Sequence, residues 1–365
     1  MIKVFQRWID RYFSDEEALT MLLLLAALML VIMLLGNVLA PFLTAVVVAY
    51  LLQGAMNFFK RRGLGHLAAT VLVFLLFMTL MFTLILIILP ATWNQAVQFV
   101  SEIPRMVAKG QELVMLLPER YPEVVSTEQA KEWTKQIGDE VASVGQLVVS
   151  FSLTGVTGLM GVLIYCVLVP ILVFFLLKDS SQILNWLTAF LPNKRALLDN
   201  VWGEMDQQIA NYIRGKAVEI VIVGGVSYIA FVIFGLNYAA LLAIAVGFSV
   251  LIPYIGAAVV TVPIALVGYF QWGLTEIFTW LMIVYAIIQA LDGNVLVPLL
   301  FSEVVNLHPV AIIVAVLVFG GLWGFWGVFF AIPLATLLKA VLRAWPVALS
   351  GGNEPDASSN ESGAQ

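Results

Sequence analysis

Apolar residues fill most of this chain in long unbroken runs, and the polar residues gather between them. Uncharged runs occupy 18–59, 63–101, 141–177, 220–275 and 304–338. A helix needs about 20 mainly apolar residues to cross a bilayer, so each run predicts at least one crossing. The first run breaks at Gly36-Asn37 and Pro41, which predicts spans at 18–38 and 41–59, and Lys60-Arg61-Arg62 stops the second. A third span covers 66–89 and ends at Pro90; a fourth covers 152–177 and ends at Lys178-Asp179. Four more follow at 217–235, 239–270, 275–300 and 309–340. The sixth is too long for one straight helix and reads as either one broken span or a re-entrant pair. The expected fold is all-α, a polytopic transmembrane helix bundle of about eight spans with one broken helix.

Two polar segments carry a helical pattern of their own. In 126–149, Ser126 and Gln129 form a capping box ahead of the stripe Trp133, Ile137, Val141, Val144, Val148. Trp93, Val97, Val100 and Val107 are similarly spaced upstream, and Pro118 and Pro122 mark a turn, so 91–150 predicts an extracytoplasmic helical hairpin. On the other side Asn193 can cap a helix with the stripe Leu198, Trp202, Met205, Ile209, Tyr212, which suits a cytoplasmic interfacial helix. Both segments also read simply as covers for the ends of the bundle. The organisation is then 1–90 with spans one to three, the outer segment 91–150, span four at 151–178, the amphipathic segment 179–216, a transmembrane core at 217–345 and a tail at 346–365 expected to be disordered.

Composition sharpens this. The chain has 365 residues, 62% hydrophobic and 11% charged, where soluble proteins carry about 25% charged residues. Those values exclude a soluble enzyme, a nucleic-acid binder and a disulfide-stapled secreted domain. Cys166 is the single cysteine and sits in an apolar run, so an intrachain disulfide is impossible. The run from Ala18 reads as a retained span rather than a cleaved leader, and ten-residue alternating strands of an outer-membrane barrel are missing. Lys3, Arg7, Arg11, Lys60-Arg61-Arg62, Lys178, Lys194, Arg195, Arg214, Lys216, Lys339 and Arg343 all fall on one side of an eight-span topology, the cytoplasm, with both termini.

Three acids stand within or beside the spans of the second half: Glu276, Asp292 and Glu303. Glu276 and Glu303 read as residues of the water interface. Asp292 has apolar sequence on both sides, and an ionised Asp deep in a span costs about 2.5–3.5 kcal/mol. Such a residue usually faces a wet cavity, where it binds a cation or carries a proton; a hydrogen bond across a helix or subunit interface is the structural alternative. Gln289 and Asn294 are its neighbours, and Pro298 frees backbone carbonyls a turn back. Pro253, Tyr254 and Gly256 interrupt the sixth span, where a broken helix can line a solute path or be a plain kink. Gly155, Gly158 and Gly161, and Gly224-Gly225, and Gly320, Gly321, Gly324 and Gly327, form stripes suited to close helix packing. His308-Pro309 opens the last span, with His308 read as a cap rather than a ligand. No phosphate loop, zinc-protease or serine-elbow motif occurs and only one deep Asp is visible, so no enzymatic activity, cofactor or metal site is expected.

Several motifs occur together in a particular order. Phe174-Phe175-Leu176-Leu177-Lys178-Asp179 closes span four, and Tyr212-x-x-Gly215 leads into span five. Ile252-Pro253-Tyr254-Ile255-Gly256, Asp292-Gly-Asn294-x-x-x-Pro298 and Leu307-His308-Pro309 follow, then Gly320-Gly321-x-x-Gly324-x-x-Gly327 into Ala331-Ile332-Pro333. Over residues 15–345 the chain resembles the autoinducer-2 exporter family, and within it the PerM-like permeases of Gram-negative bacteria. Lys216, where Gln is frequent, and Ala257, where Pro is frequent, depart from the pattern. The resemblance implies a multi-pass protein of the bacterial inner membrane, in contact with the lipid bilayer and no nucleic acid. It also implies a homo-oligomer, with a pentamer as a candidate state. Some of its members export a small signalling molecule, others exchange sodium or lithium for protons, and several have no assigned substrate. The leading expectation is therefore a secondary transporter of a small molecule or monovalent cation, with proton or sodium coupling at Asp292 (an antiporter in the latter case). The alternative is a membrane scaffold or regulatory protein that acts through its extramembrane helices.

Overall fold

The computed structural model describes residues 16–120, 122–123, 126–136, 138, 155–192, 195–301 and 307–344. Lys3, Arg7, Arg11, Asn193, Glu303, most of the 137–148 stripe and the tail lie outside them, as do the surroundings of Gly155 and Gly158. The described chain is helical: α1 (Glu16–Arg61), α2 (His66–Thr83), α3 (Leu89–Met115), α4 (Gly155–Lys178), α5 (Ser180–Thr188), α6 (Ala196–Phe234), α7 (Ala239–Ser249), α8 (Ile255–Trp272), α9 (Glu276–Leu291), α10 (Val297–Phe301), α11 (Pro309–Phe329) and α12 (Ala331–Ala344). Among the described residues eight helices are long and apolar enough to cross a membrane, the number expected.

The first two spans form one run of helix, α1, yet its contacts require it to turn back. Glu17 accepts from the Leu197 backbone N–H at 3.3 Å, and the Tyr50 hydroxyl donates to Asp206 at 2.6 Å. A straight helix would hold Glu17 and Tyr50 about 50 Å apart, whereas Leu197 and Asp206 are about 14 Å apart on α6. The reversal belongs to the stretch around Gly36 and Pro41, where the sequence predicts the break. A Cβ at Gly36 would overlap the Trp323 indole.

The third span does not end at Pro90. Its helix continues through a π turn, Leu84–Ile88, into α3. The Leu89 N–H reaches back to the Leu84 carbonyl, and this wider turn makes room for a proline ring that would otherwise press on the preceding turn. The same device recurs in α9, where the π turn Asp292–Leu296 precedes Pro298 and the Val297 N–H reaches the Asp292 carbonyl. Beyond α3 the chain doubles back as expected. Ser126 and Gln129 make the reciprocal capping-box bonds at 3.0 and 3.2 Å, and Gln111 donates to the Thr134 carbonyl at 3.0 Å.

The amphipathic stripe from Leu198 to Tyr212 is not a separate helix but the first half of α6. Met205 and Tyr212 are buried in the bundle, whereas Trp202 is exposed. The short α5, whose exposed Trp186 packs edge-on at 5.0 Å against the exposed Phe190 just beyond its end, has the character expected of the interfacial helix.

The sixth segment is a re-entrant pair. α7 runs back along α6, with Gly224 and Gly247 letting the two backbones meet. α8 then returns to the level where α7 began, because Gln271 near its end bonds Gly235 O and Asn237 N at 2.8 and 2.9 Å. Eleven residues make α7 about 16 Å long, well short of the roughly 30 Å of hydrocarbon. Its tip is a tight turn at Pro253-Tyr254, with Tyr254 at φ 64°. Gly256 presses on the Ser249 carbonyl, so a Cβ there has no room.

The last segment is a hairpin too, not one crossing. Gly324, at φ 60° and ψ −135°, breaks α11. Gly327 and Val328 then lie back against Phe319 and Gly320, and Ala331 packs on Ala315 and Val316. Of the span-eight glycines, Gly320 and Gly327 thus pack the chain against itself, while Gly321 and Gly324, like Gly161 and Gly225, meet no described atom. α12 returns along α6, with Ala340 and Val341 against Val201 and Met205. His308 caps α11 through Val310 N–H. Two hairpins therefore enter the bundle from opposite ends, and Ile252 at the tip of the first packs on the flank of the second.

Candidate functional site

A cavity of about 350 Å³ lies where the α7–α8 tip meets α6, the π turn after α9, and the second hairpin. Its described lining includes Tyr212, Lys216, Glu219, Ser249, Pro253, Tyr254, Gln289 and Asp292, with Phe301, Ile312 and Ile332 as apolar wall. α6 supplies the charges. Lys216 and Glu219 are one turn apart, so their side chains share a face. Lys216 Nζ is 2.8 Å from Glu219 Oε2, with side-chain exposures of only 6% and 2%. The ammonium also donates to the Val250 carbonyl at 2.8 Å and lies 5.1 Å from the centre of the Phe301 ring.

Asp292 opens the π turn. Its Oδ1 is buried without a hydrogen-bond partner among the described residues, and Lys216 and Glu219 are within electrostatic reach. From Gln289 a short line of polar groups leads away into the bundle. Gln289 Nε2 donates to the Tyr285 hydroxyl at 3.0 Å, and the Thr261 hydroxyl lies 3.3 Å from the same oxygen. Beyond Tyr285 the core is apolar and closed, with Ile264, Val267 and Leu281 fully buried. Tyr254 is 61% exposed at the mouth, held in a left-handed conformation that an L side chain seldom adopts.

Of the residues singled out from sequence, Asp292, Gln289, Pro253 and Tyr254 come together in this cavity. Asn294, Gly256 and Pro298 lie outside its lining. Asn294 is exposed and its amide is bonded to Ala290 O at 2.8 Å; Gly256 permits the tip turn; Pro298 is exposed beyond the π turn. Glu276 is exposed in the first turn of α9, as expected. Lys216 and Glu219 are the residues that sequence reasoning missed. They close a charged cluster, 178–219, and read as its membrane-flanking end. The signal was their i, i+3 spacing directly before an uncharged run, which places both charges on one face of a helix already entering the apolar bundle.

A family model for AI-2E family transporters matches residues 22–347. The chain belongs to the AI-2E transporter family. It is 46% identical over 346 residues to PerM of Escherichia coli (strain K12), covering 95% of this chain and 98% of that one. YueF of Bacillus subtilis (strain 168) is 29% identical over 53% of this chain and 52% of its own length. The sll0063 protein of Synechocystis is 24% identical over 93% and 88%. Their names class the first as a permease and the others as transport proteins, each provisionally. The eight apolar helices and the family together make this a membrane protein of a transporter family.

Proposed function

We propose that this chain is a secondary transporter that moves a small solute or monovalent cation across the bacterial inner membrane, with both termini in the cytoplasm. The observation that carries the reading is the charged cavity between the two hairpins. Burying Lys216 and Glu219 beside a half-buried Asp292 is costly for a merely structural bundle. Intramembrane ionisable groups near broken-helix ends are what substrate and ion paths are made of. In this reading Asp292 is the coupling carboxylate, Gln289 orients the bound species, and Pro253 and Tyr254 form the wall at the tip. The apolar layer at Ile264, Val267 and Leu281 closes the path toward the α3 end. A homo-oligomer embedded in lipid is the expected assembly.

The test is flux in liposomes holding the purified full-length protein, with proton and sodium gradients imposed over a panel of small solutes. Gradient-driven flux by the wild type, lost in Asp292→Asn, is the expected result. Equal flux in Asp292→Asn refutes the coupling role. Intact partner co-purification with no flux for any solute favours a scaffold acting through the outer hairpin.

A further inference from the structure

The surroundings of the Lys216 ammonium are those that an alkali-metal cation seeks. Glu219 supplies a carboxylate oxygen at 2.8 Å, Val250 a backbone carbonyl oxygen at 2.8 Å, and Phe301 an aromatic face at 5.1 Å. Val250 caps the C-terminal end of α7. That is the negative end of a helix dipole stopped inside the bundle, and half-helices of this kind present carbonyls to sodium in transporters.

We infer that Lys216 is a tethered cation: its ammonium holds the seat at the end of α7 that sodium or lithium would otherwise fill. The one further positive charge the cavity takes up is then a proton on Asp292. This rests on the cavity being the transport path, and it names the coupling ion of that path. The charge balance supports it. One ammonium and two carboxylates leave a net negative charge within the bundle, and a single positive charge neutralises it. A metal ion needs several oxygens at once, and the best are committed: Val250 O and Glu219 Oε2 face the ammonium. The Asn294 amide is turned to Ala290, and Gln289 presents its amide nitrogen to Tyr285. A proton needs one oxygen: among the described residues Asp292 Oδ1 is buried with no partner, whereas the buried Glu219 Oε2, which also accepts no hydrogen bond, has the ammonium 2.8 Å away. The other titratable groups lining the cavity with this carboxyl are Tyr212 and Glu219 from α6 and Tyr254 from the tip, and Tyr285 stands one hydrogen bond behind Gln289. The second hairpin contributes Ile312 and Ile332, and Lys216 is the only basic side chain in the described lining.

The experiment is equilibrium binding of radiolabelled sodium to the purified full-length protein in detergent, beside proton uptake on acidification. Wild type and Lys216→Arg should show no saturable sodium binding. Wild type should take up a proton that Asp292→Asn does not. Lys216→Gln, which removes the charge and adds an oxygen, should bind sodium at least about tenfold more tightly than wild type and be competed by lithium. Saturable sodium binding by wild type overturns the inference, and so does a folded Lys216→Gln protein that gains none. If Lys216→Gln does not fold, wild type decides alone: Asp292-dependent proton uptake unaffected by sodium supports the tethered cation, and competition by sodium refutes it. Because binding requires no flux, an absence of transport with these binding results retires the transport reading and leaves the tethered cation standing. Sodium-driven flux overturns the tethered cation and spares the transport reading.

Discussion

Replacing Glu219 by Leu, Lys216 by Met, and both together separates the energetics of the buried pair from its role. Removing one partner of a buried ion pair costs about 3–5 kcal/mol, because the other charge is left uncompensated, whereas replacing both by apolar side chains is often neutral or stabilising. The two single variants should differ. After Glu219→Leu the ammonium still has Asp292 within reach and the Val250 carbonyl at 2.8 Å, which puts the loss near the low end, about 3 kcal/mol. After Lys216→Met, Glu219 and Asp292 face each other with no basic group in the described lining, which puts it near about 5 kcal/mol. The double variant should return to within about 1 kcal/mol of wild type. Membrane proteins often unfold irreversibly, so the comparison is the rank of apparent thermal midpoints at one scan rate in one detergent. The expected order is Lys216→Met lowest, then Glu219→Leu, then the double variant beside wild type. A double variant as unstable as the worse single, or Glu219→Leu below Lys216→Met, refutes the reasoning.

Two further outcomes follow from the geometry. Gly256→Ala places a methyl group on the Ser249 carbonyl, with backbone on both sides unable to yield. It should lose about 3 kcal/mol, while Gly161→Ala, facing open space, should be neutral or gain up to about 1 kcal/mol of helix propensity; thermal midpoints of the two variants check this. Ser126→Ala removes one half of the capping box and should cost about 1 kcal/mol locally. Hydrogen exchange over 127–136 should quicken about fivefold with the rest unchanged.

Several local features were legible in the sequence for local reasons. A capping box, a histidine cap and a stop at Lys60-Arg61-Arg62 depend on neighbours a few residues away, and each bond or boundary is where the pattern puts it. Pro90 misled because a proline's consequence depends on whether the preceding turn can widen, and Leu84–Ile88 does so. The re-entrant pair was open to two readings because apolar length alone says nothing of direction. Only the bonds from Gln271 back to Gly235 and Asn237 decide that the chain returns. The last segment escaped for a related reason: a glycine stripe reads the same whether its partner is another helix or the second arm of its own hairpin.

What the sequence by itself determined is the class, the number of apolar helices, the family pattern and the place of Asp292 as a carboxylate with apolar sequence on both sides. Crossing a bilayer is a matter of length and hydropathy, and those are properties of a contiguous stretch. What only the tertiary structure decided is the meaning of Lys216 and Glu219. As text they end a polar cluster; in space they face Asp292, which is remote along the chain, and the carbonyl of Val250. A charge's cost and use depend on the dielectric and partners around it, and those are set by helices that meet only after the chain has turned back on itself.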